Sequence, residues 1–123
     1  MITGTITPKC EPVVGLVVVG GDGARRTVEA VIDTGFSAFL TLPRSWIEEF
    51  GLLWADTTTA SLADNTEVVV ELYACTVLWD GEELEITVHC MDGPPLVGMA
   101  LLWDNLLTME LRRGGDVTLG PLG

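Results

Sequence analysis

The chain has 123 residues, 48% of them hydrophobic, which is enough for one domain with a modest core and too apolar for a disordered polymer. Asp and Glu number 18 against 6 Lys and Arg, a formal net charge of −12, and a surface of that sign repels phosphate backbones and anionic bilayers, which disfavours nucleic-acid and membrane roles. The longest apolar run, Val13–Val19, is far too short to cross a bilayer, and the opening MITGTITPKCEP lacks the basic-then-apolar pattern of a signal peptide.

In chain order, Cys10 reads as lying in a loop before the first strand. PVVGLVVVG, the turn GGDG and ARRTVEAVID then predict a β-hairpin whose second strand puts Val28, Ala30 and Ile32 on one face and Thr27, Glu29 and Val31 on the other. That strand ends at Asp33-Thr34-Gly35, and a further strand is expected over Phe36–Leu42. Pro43 suits a first helical position, Trp46, Ile47 and Phe50 form an apolar stripe, and Gly51 closes a short helix. Residues 55–90 return to strands around two turns, Asp64-Asn65 and Asp80-Gly81. In the second hairpin, Tyr73, Cys75, Val77 and Trp79 share a side with Leu84, Ile86, Val88 and Cys90, so Cys75 and Cys90 are expected to be buried neighbours that serve packing. MALLWDNL reads as a short helix, and a hairpin around Arg113-Gly114-Gly115-Asp116 closes the chain. Leu96-Val97-Gly98 echoes Val31-Ile32 before Asp33, a loose internal repeat in which only the first copy carries the carboxylate.

Three cysteines without a Cys-x-x-Cys pair fit free thiols in a reducing, cytoplasmic setting. His89, Cys90 and Asp92 invite a metal, but strand alternation sends His89 and Cys90 to opposite faces, so neither a metal nor a cofactor is expected. Ser37, Ser45 and Ser61 sit in no Gly-x-Ser-x-Gly elbow, and no glycine-rich phosphate loop is present. The four tryptophans, Trp46, Trp54, Trp79 and Trp103, are expected in core or contact surfaces, with Trp103 nearest any contact between copies.

The chemistry concentrates in AVIDTGFSAFLTLP, which places an ionisable Asp33 inside the most core-like stretch. Burying an unpaired charge costs several kcal/mol, so the position asks for a reason. An Asp-Thr-Gly turn supplies one of the two carboxylates that share a proton in aspartic proteases, a small hydroxyl residue that grips the opposite half, and a glycine that lets backbone N–H groups approach the carboxylate. The bare tripeptide arises by chance in roughly a few per cent of chains this long, so context carries the reading. Here an apolar strand leads in and a second apolar-apolar-glycine lies downstream.

With these stretches, together with RSWIEEFGL, SLADNTEV, VLWDGEELEITV and PLVGMALL in the same order, the chain resembles the single-domain retropepsin-like aspartic proteases of bacteria and archaea, in the clan of the retroviral enzymes. The resemblance spans almost the whole chain. It implies an all-β, mainly antiparallel fold, a closed β barrel with one or two short helices, working as a homodimer on a peptide or protein substrate. By position, Asp33 would be the catalytic carboxylate, Thr34 the residue gripping the second copy, and Gly35 the shaper of the turn. Leu96, Val97 and Gly98 would support the active-site loop, and Ala63, Asp64, Asn65 and Thr66 would form the tip of the flap over substrate. The homodimer also follows without the family, because one Asp-Thr-Gly per chain supplies half of a two-carboxylate site. Two positions depart from the family pattern: Phe36 stands where Ser, Thr or Ala is frequent, and the flap tip has no glycine. These departures carry the alternative expectation, a dimeric module that binds peptides or a partner protein without cleaving them.

Overall fold

Alternating apolar and polar residues dictate strands along most of the chain, and the computed structural model, which describes residues 1–123, forms them. Strand β1 spans Ile2–Ile6, β2 Pro12–Val19, β3 Arg25–Ile32 and the short β4 Leu40–Leu42. Helix α1 covers Arg44–Glu49 and is followed by β5 (Leu53–Ser61), β6 (Glu67–Trp79) and β7 (Glu82–Cys90). Strand β8 (Leu96–Val97), helix α2 (Met99–Leu102), β9 (Asn105–Met109) and β10 (Asp116–Pro121) complete the chain.

The fold is mostly β and mixed in direction. One ten-stranded sheet runs in the order β5-β6-β7-β4-β8-β3-β2-β1-β10-β9, and β6 pairs with β2 as well. The pairings therefore form a circuit from β2 through β3, β8, β4, β7 and β6 back to β2. Strand β5 hangs outside β6, while β1, β10 and β9 continue beyond β2. All pairings are antiparallel except β3 with β8 and β4 with β7.

Period-two patterning explains the core. Val14, Leu16 and Val18 of β2 are buried with Val28, Ala30 and Ile32 of β3, while Thr27 and Glu29 stay outside. Leu40, Leu42, Val77, Val88 and Val97 join the same apolar cluster from the rest of the circuit. Each such side chain contributes about 1.5–3 kcal/mol by leaving water. Helix α1 seals one end with Ile47 and Phe50. Pro43 is its N-cap, one position before the first turn, and its last turn closes as a Schellman motif: Gly51 at φ +65° donates to the Glu48 carbonyl and Leu52 to that of Ile47, both at 3.1 Å.

Three expectations need correction, and one strand was not foreseen. The unforeseen strand is β1, where Ile2–Ile6 pairs with both β10 and β2, while Cys10 lies in the bend that follows it, as expected. The strand expected over Phe36–Leu42 survives only at Leu40–Leu42, since the carbonyls of Phe36, Ala38 and Phe39 accept bonds from the start of α2 instead of a strand ladder. Helix α2 stops at Leu102, because Trp103 turns extended (φ −55°, ψ 145°) and Asp104 takes φ +62°, redirecting the chain into β9. Cys75 and Cys90 are not neighbours: Cys75 lies opposite Ile86, so Cys90 is four residues further along, about 13 Å at the usual strand rise, and is only half-buried. All three cysteines are free. No helix is long and apolar enough to cross a membrane.

Candidate functional site

The site begins where two similar segments meet. Val31-Ile32 of β3 lies parallel to Leu96-Val97 of β8, with Val31 opposite Leu96 and Ile32 opposite Val97. The internal echo in the sequence is thus a physical pairing. It carries one step past the strand, because the Asp33 N–H donates to the Val97 carbonyl at 2.9 Å. Beyond that bond the chain turns: the Phe36 N–H donates to the Asp33 carbonyl at 3.2 Å, and the Gly35 N–H to Asp33 Oδ1 at 2.9 Å.

A backbone lattice ties this turn to the start of α2. Gly98 N–H donates to Phe39 O at 2.9 Å, Met99 N–H to Phe36 O at 2.7 Å, and Ala100 N–H to Ala38 O at 3.2 Å. Gly98 is the tightest position. A Cβ there would collide with the Ala38 carbonyl oxygen and stand 2.5 Å from Phe36 Cδ2, so only glycine lets the two segments approach. Sequence reasoning grouped Asp33, Thr34 and Gly35 with Val97 and Gly98, and the structure brings these five together. Asp33 itself is half-buried rather than sunk in the core, and Thr34 and Gly35 are exposed. In the single chain the carboxylate therefore keeps solvent and one N–H donor, and the burial cost that first marked it does not arise.

Ala63, Asp64, Asn65 and Thr66 form the tip of the β5–β6 ribbon, all exposed. The tip is self-contained. Asp64 Oδ1 accepts from the Thr66 N–H at 3.0 Å and from the Thr66 hydroxyl, Asn65 takes φ +66°, and the Leu62 N–H closes onto Thr66 O at 2.8 Å. Those Thr66 bonds hold the Asp64 carboxyl below its usual range. No hydrogen bond links this tip to the Asp33 turn. Much of the ribbon leading to it is wet on both faces, with Val69 74% exposed, so it projects as a free arm.

Sequence reasoning missed the Ala38 and Phe39 carbonyls that seat α2, and it missed the packing role of His89. The His89 ring meets the Phe36 ring edge-on at 5.2 Å and 89°, and its Nδ1 is buried with no hydrogen-bond partner. Burial pushes its pKa below the ordinary 6.5. Strand parity placed His89 opposite in direction to Cys90, but nothing in the sequence signals that it meets Phe36. No group of three or more His, Cys, Asp and Glu side chains is gathered to hold a metal ion.

The arrangement offers a half-buried carboxylate in a braced turn, with one backbone donor, the Gly35 N–H, and a small exposed hydroxyl residue beside it. Comparison with models of known protein families finds no match, and a search of curated proteins finds none.

Proposed function

We propose that this chain is one subunit of a homodimeric aspartic endopeptidase with a retropepsin-like closed barrel, in which Asp33 of each copy supplies one of two catalytic carboxylates. The observation that carries the reading is the Asp33 turn, with its Gly35 donor and its seat on Val97-Gly98. The circuit of pairings through β2, β3, β8, β4, β7 and β6 supports the barrel. Free thiols in all three cysteines suit a reducing, cytoplasmic setting.

Strand β9 supports the contact between copies. It ends the sheet with an unpaired edge, and Asn105–Met109 contains no charge, so a copy related by a two-fold axis sets no like charges face to face. The opposite edge, β5, carries Asp56 within it. Trp103 is 66% exposed and Leu106 59%, apolar surface at the start of the same edge. Helix α2 connects that edge directly to the Gly98 seat of the Asp33 turn.

In the assembled site, two adjacent carboxylates hold one proton between them, because like charges so close do not both ionise. The ionised one takes a proton from a bound water as its oxygen attacks the peptide carbonyl, and the protonated one gives its proton to the carbonyl oxygen. Collapse of the tetrahedral gem-diol returns that proton and delivers one to the leaving amine. The peptide lies extended beneath the Ala63–Thr66 tips, held by strand-like backbone bonds with side chains in alternate pockets.

The test is solution mass and peptide cleavage at mildly acidic pH, on wild type and Asp33→Asn in parallel. Both proteins are expected to be dimers, with hydrolysis in the wild type alone and an acidic optimum. An active Asp33→Asn overturns the mechanism, and a wild-type monomer removes the two-carboxylate site. A second reading, a dimer that binds peptides without cleaving them, is favoured by Phe36, which cannot hydrogen-bond the carboxylate through its side chain, and by a tip without glycine. A statine inhibitor, which mimics the tetrahedral intermediate, separates the two: tight binding requires the shared proton.

A further inference from the structure

We infer that His89 is a positioning residue for the Asp33 turn: as a neutral imidazole it holds the Phe36 ring, and through it the turn, against β7. The kinetic part of this inference rests on Asp33 being catalytic; the structural part does not.

Phe36 occupies the joint of the site. Its N–H closes the turn on Asp33 and its carbonyl receives Met99, while its ring fills the space that the missing Gly98 side chain leaves. Residues 36–39 have no strand ladder of their own, so the ring is their anchor toward β7. His89 is well placed to receive it, because its backbone is fixed from both sides, opposite Thr41 on β4 and Leu72 on β6. The rings meet at 5.2 Å in the T-shaped geometry that aromatic pairs prefer.

The contact requires a neutral ring. An imidazolium donates from both nitrogens, and Nδ1 is buried with nothing to accept. No neighbour offsets the charge. The register partners Thr41 and Leu72 are uncharged, and Thr41 Oγ1 is already taken by the Leu96 N–H at 2.9 Å. On β6 and at the start of α1, Glu71 and Arg44 bind each other at 2.6 Å. On the turn, Asp33 is engaged by Gly35; on its own segment, Glu85, Cys90 and Asp92 make no hydrogen bond to the ring. Burial alone sets the shift, and it favours the neutral form. Acidification through that lowered value charges the ring and releases Phe36. Catalysis that needs a protonated carboxylate would then be bounded on its acid side by His89.

The chain has a single histidine, so its ring resonances report His89 without ambiguity. In the wild type, the amide signals of Gly35 and Gly98 are expected to move with the same midpoint as the His89 ring. They should still do so in Asp33→Asn, which removes the carboxylate's own titration. In Phe36→Leu the His89 midpoint rises toward the ordinary histidine value. In the kinetic arm, His89→Phe keeps a ring that cannot charge and shifts the acid limb of kcat to lower pH. His89→Ala lowers kcat roughly 10- to 100-fold with KM little changed. Glycine amides indifferent to the His89 titration, or an acid limb unmoved in His89→Phe, overturn the inference. If the amides track His89 while the wild type hydrolyses nothing, the catalytic reading falls and the positioning of the turn by His89 stands.

Discussion

At Gly98 the chain has no room for even a methyl group, because the obstacle is the Ala38 carbonyl, which is backbone and cannot swing aside. Gly98→Ala is expected to destabilise the protein by about 3 kcal/mol, the upper range for overpacking a closed site. A urea unfolding curve measures this as a lower midpoint at unchanged slope. A loss below about 0.5 kcal/mol, the range of ordinary surface changes, would mean that the two segments do not meet as closely as described. The same residue illustrates what can be read from a chain. Leu96-Val97-Gly98 stood out by its likeness to Val31-Ile32 before Asp33, and the two segments do lie side by side. The Phe36–His89 contact was not legible, because 53 positions separate the residues and no periodicity links a turn to a strand elsewhere in the sheet.

Helix α1 is tied to β6 by charge as well as by packing. Arg44 Nη2 donates to Glu71 Oε2 at 2.6 Å and Nη1 to the Tyr73 hydroxyl at 3.3 Å, while that hydroxyl donates to Glu71 at 3.1 Å. The Arg44 bond, then the Tyr73 bond, holds the Glu71 carboxyl below its ordinary 4.5. A carboxylate with a depressed folded value binds protons more readily in the unfolded chain. Its stabilisation is therefore present above the ordinary value and is lost as pH falls through the lowered one. Glu71→Gln should lower the thermal midpoint at pH 7, and the gap from wild type should close as pH drops below 4.5. A gap that stays constant with pH would show that the ion pair contributes nothing. Among the elements, the hairpins β2–β3, β6–β7 and β9–β10 were legible from turn residues and alternation. Strand β1 was overlooked although Ile2 and Ile6 alternate with threonines, because five residues are a short signal and, besides the adjacent β2, its other partner β10 comes from the far end of the chain. The missing half of the Phe36–Leu42 strand went the other way: its residues favour a strand, but α2 claims their carbonyls.

For the whole molecule, a net charge of −12 on each copy opposes self-association, so any seam must be apolar and free of like charges. Strand β9, with Leu106 exposed on it, meets that condition along its own length, with Asp104 and Glu110 lying just beyond its two ends. Leu106→Asp adds a charge within the proposed seam and is expected to weaken the dimer at least about 100-fold, a typical penalty for a desolvated unpaired charge. Sedimentation across a concentration series reads it directly, with activity falling in step. A dimer as tight as wild type would move the seam elsewhere. Moderate salt should tighten the wild-type dimer by screening the repulsion between copies.

The sequence by itself determined the strand-rich character, the turns, the short helix at Pro43 and the prominence of Asp33, because period-two patterning and turn chemistry are local properties of neighbouring residues. Only the tertiary structure decided that β6 returns to β2, that α2 seats on residues 36–39 through Gly98, and that Asp33 is half-buried in a turn whose Phe36 ring meets His89. Those facts depend on which segments lie against one another in space, and the packing of the assembled sheet, rather than any local preference, sets them.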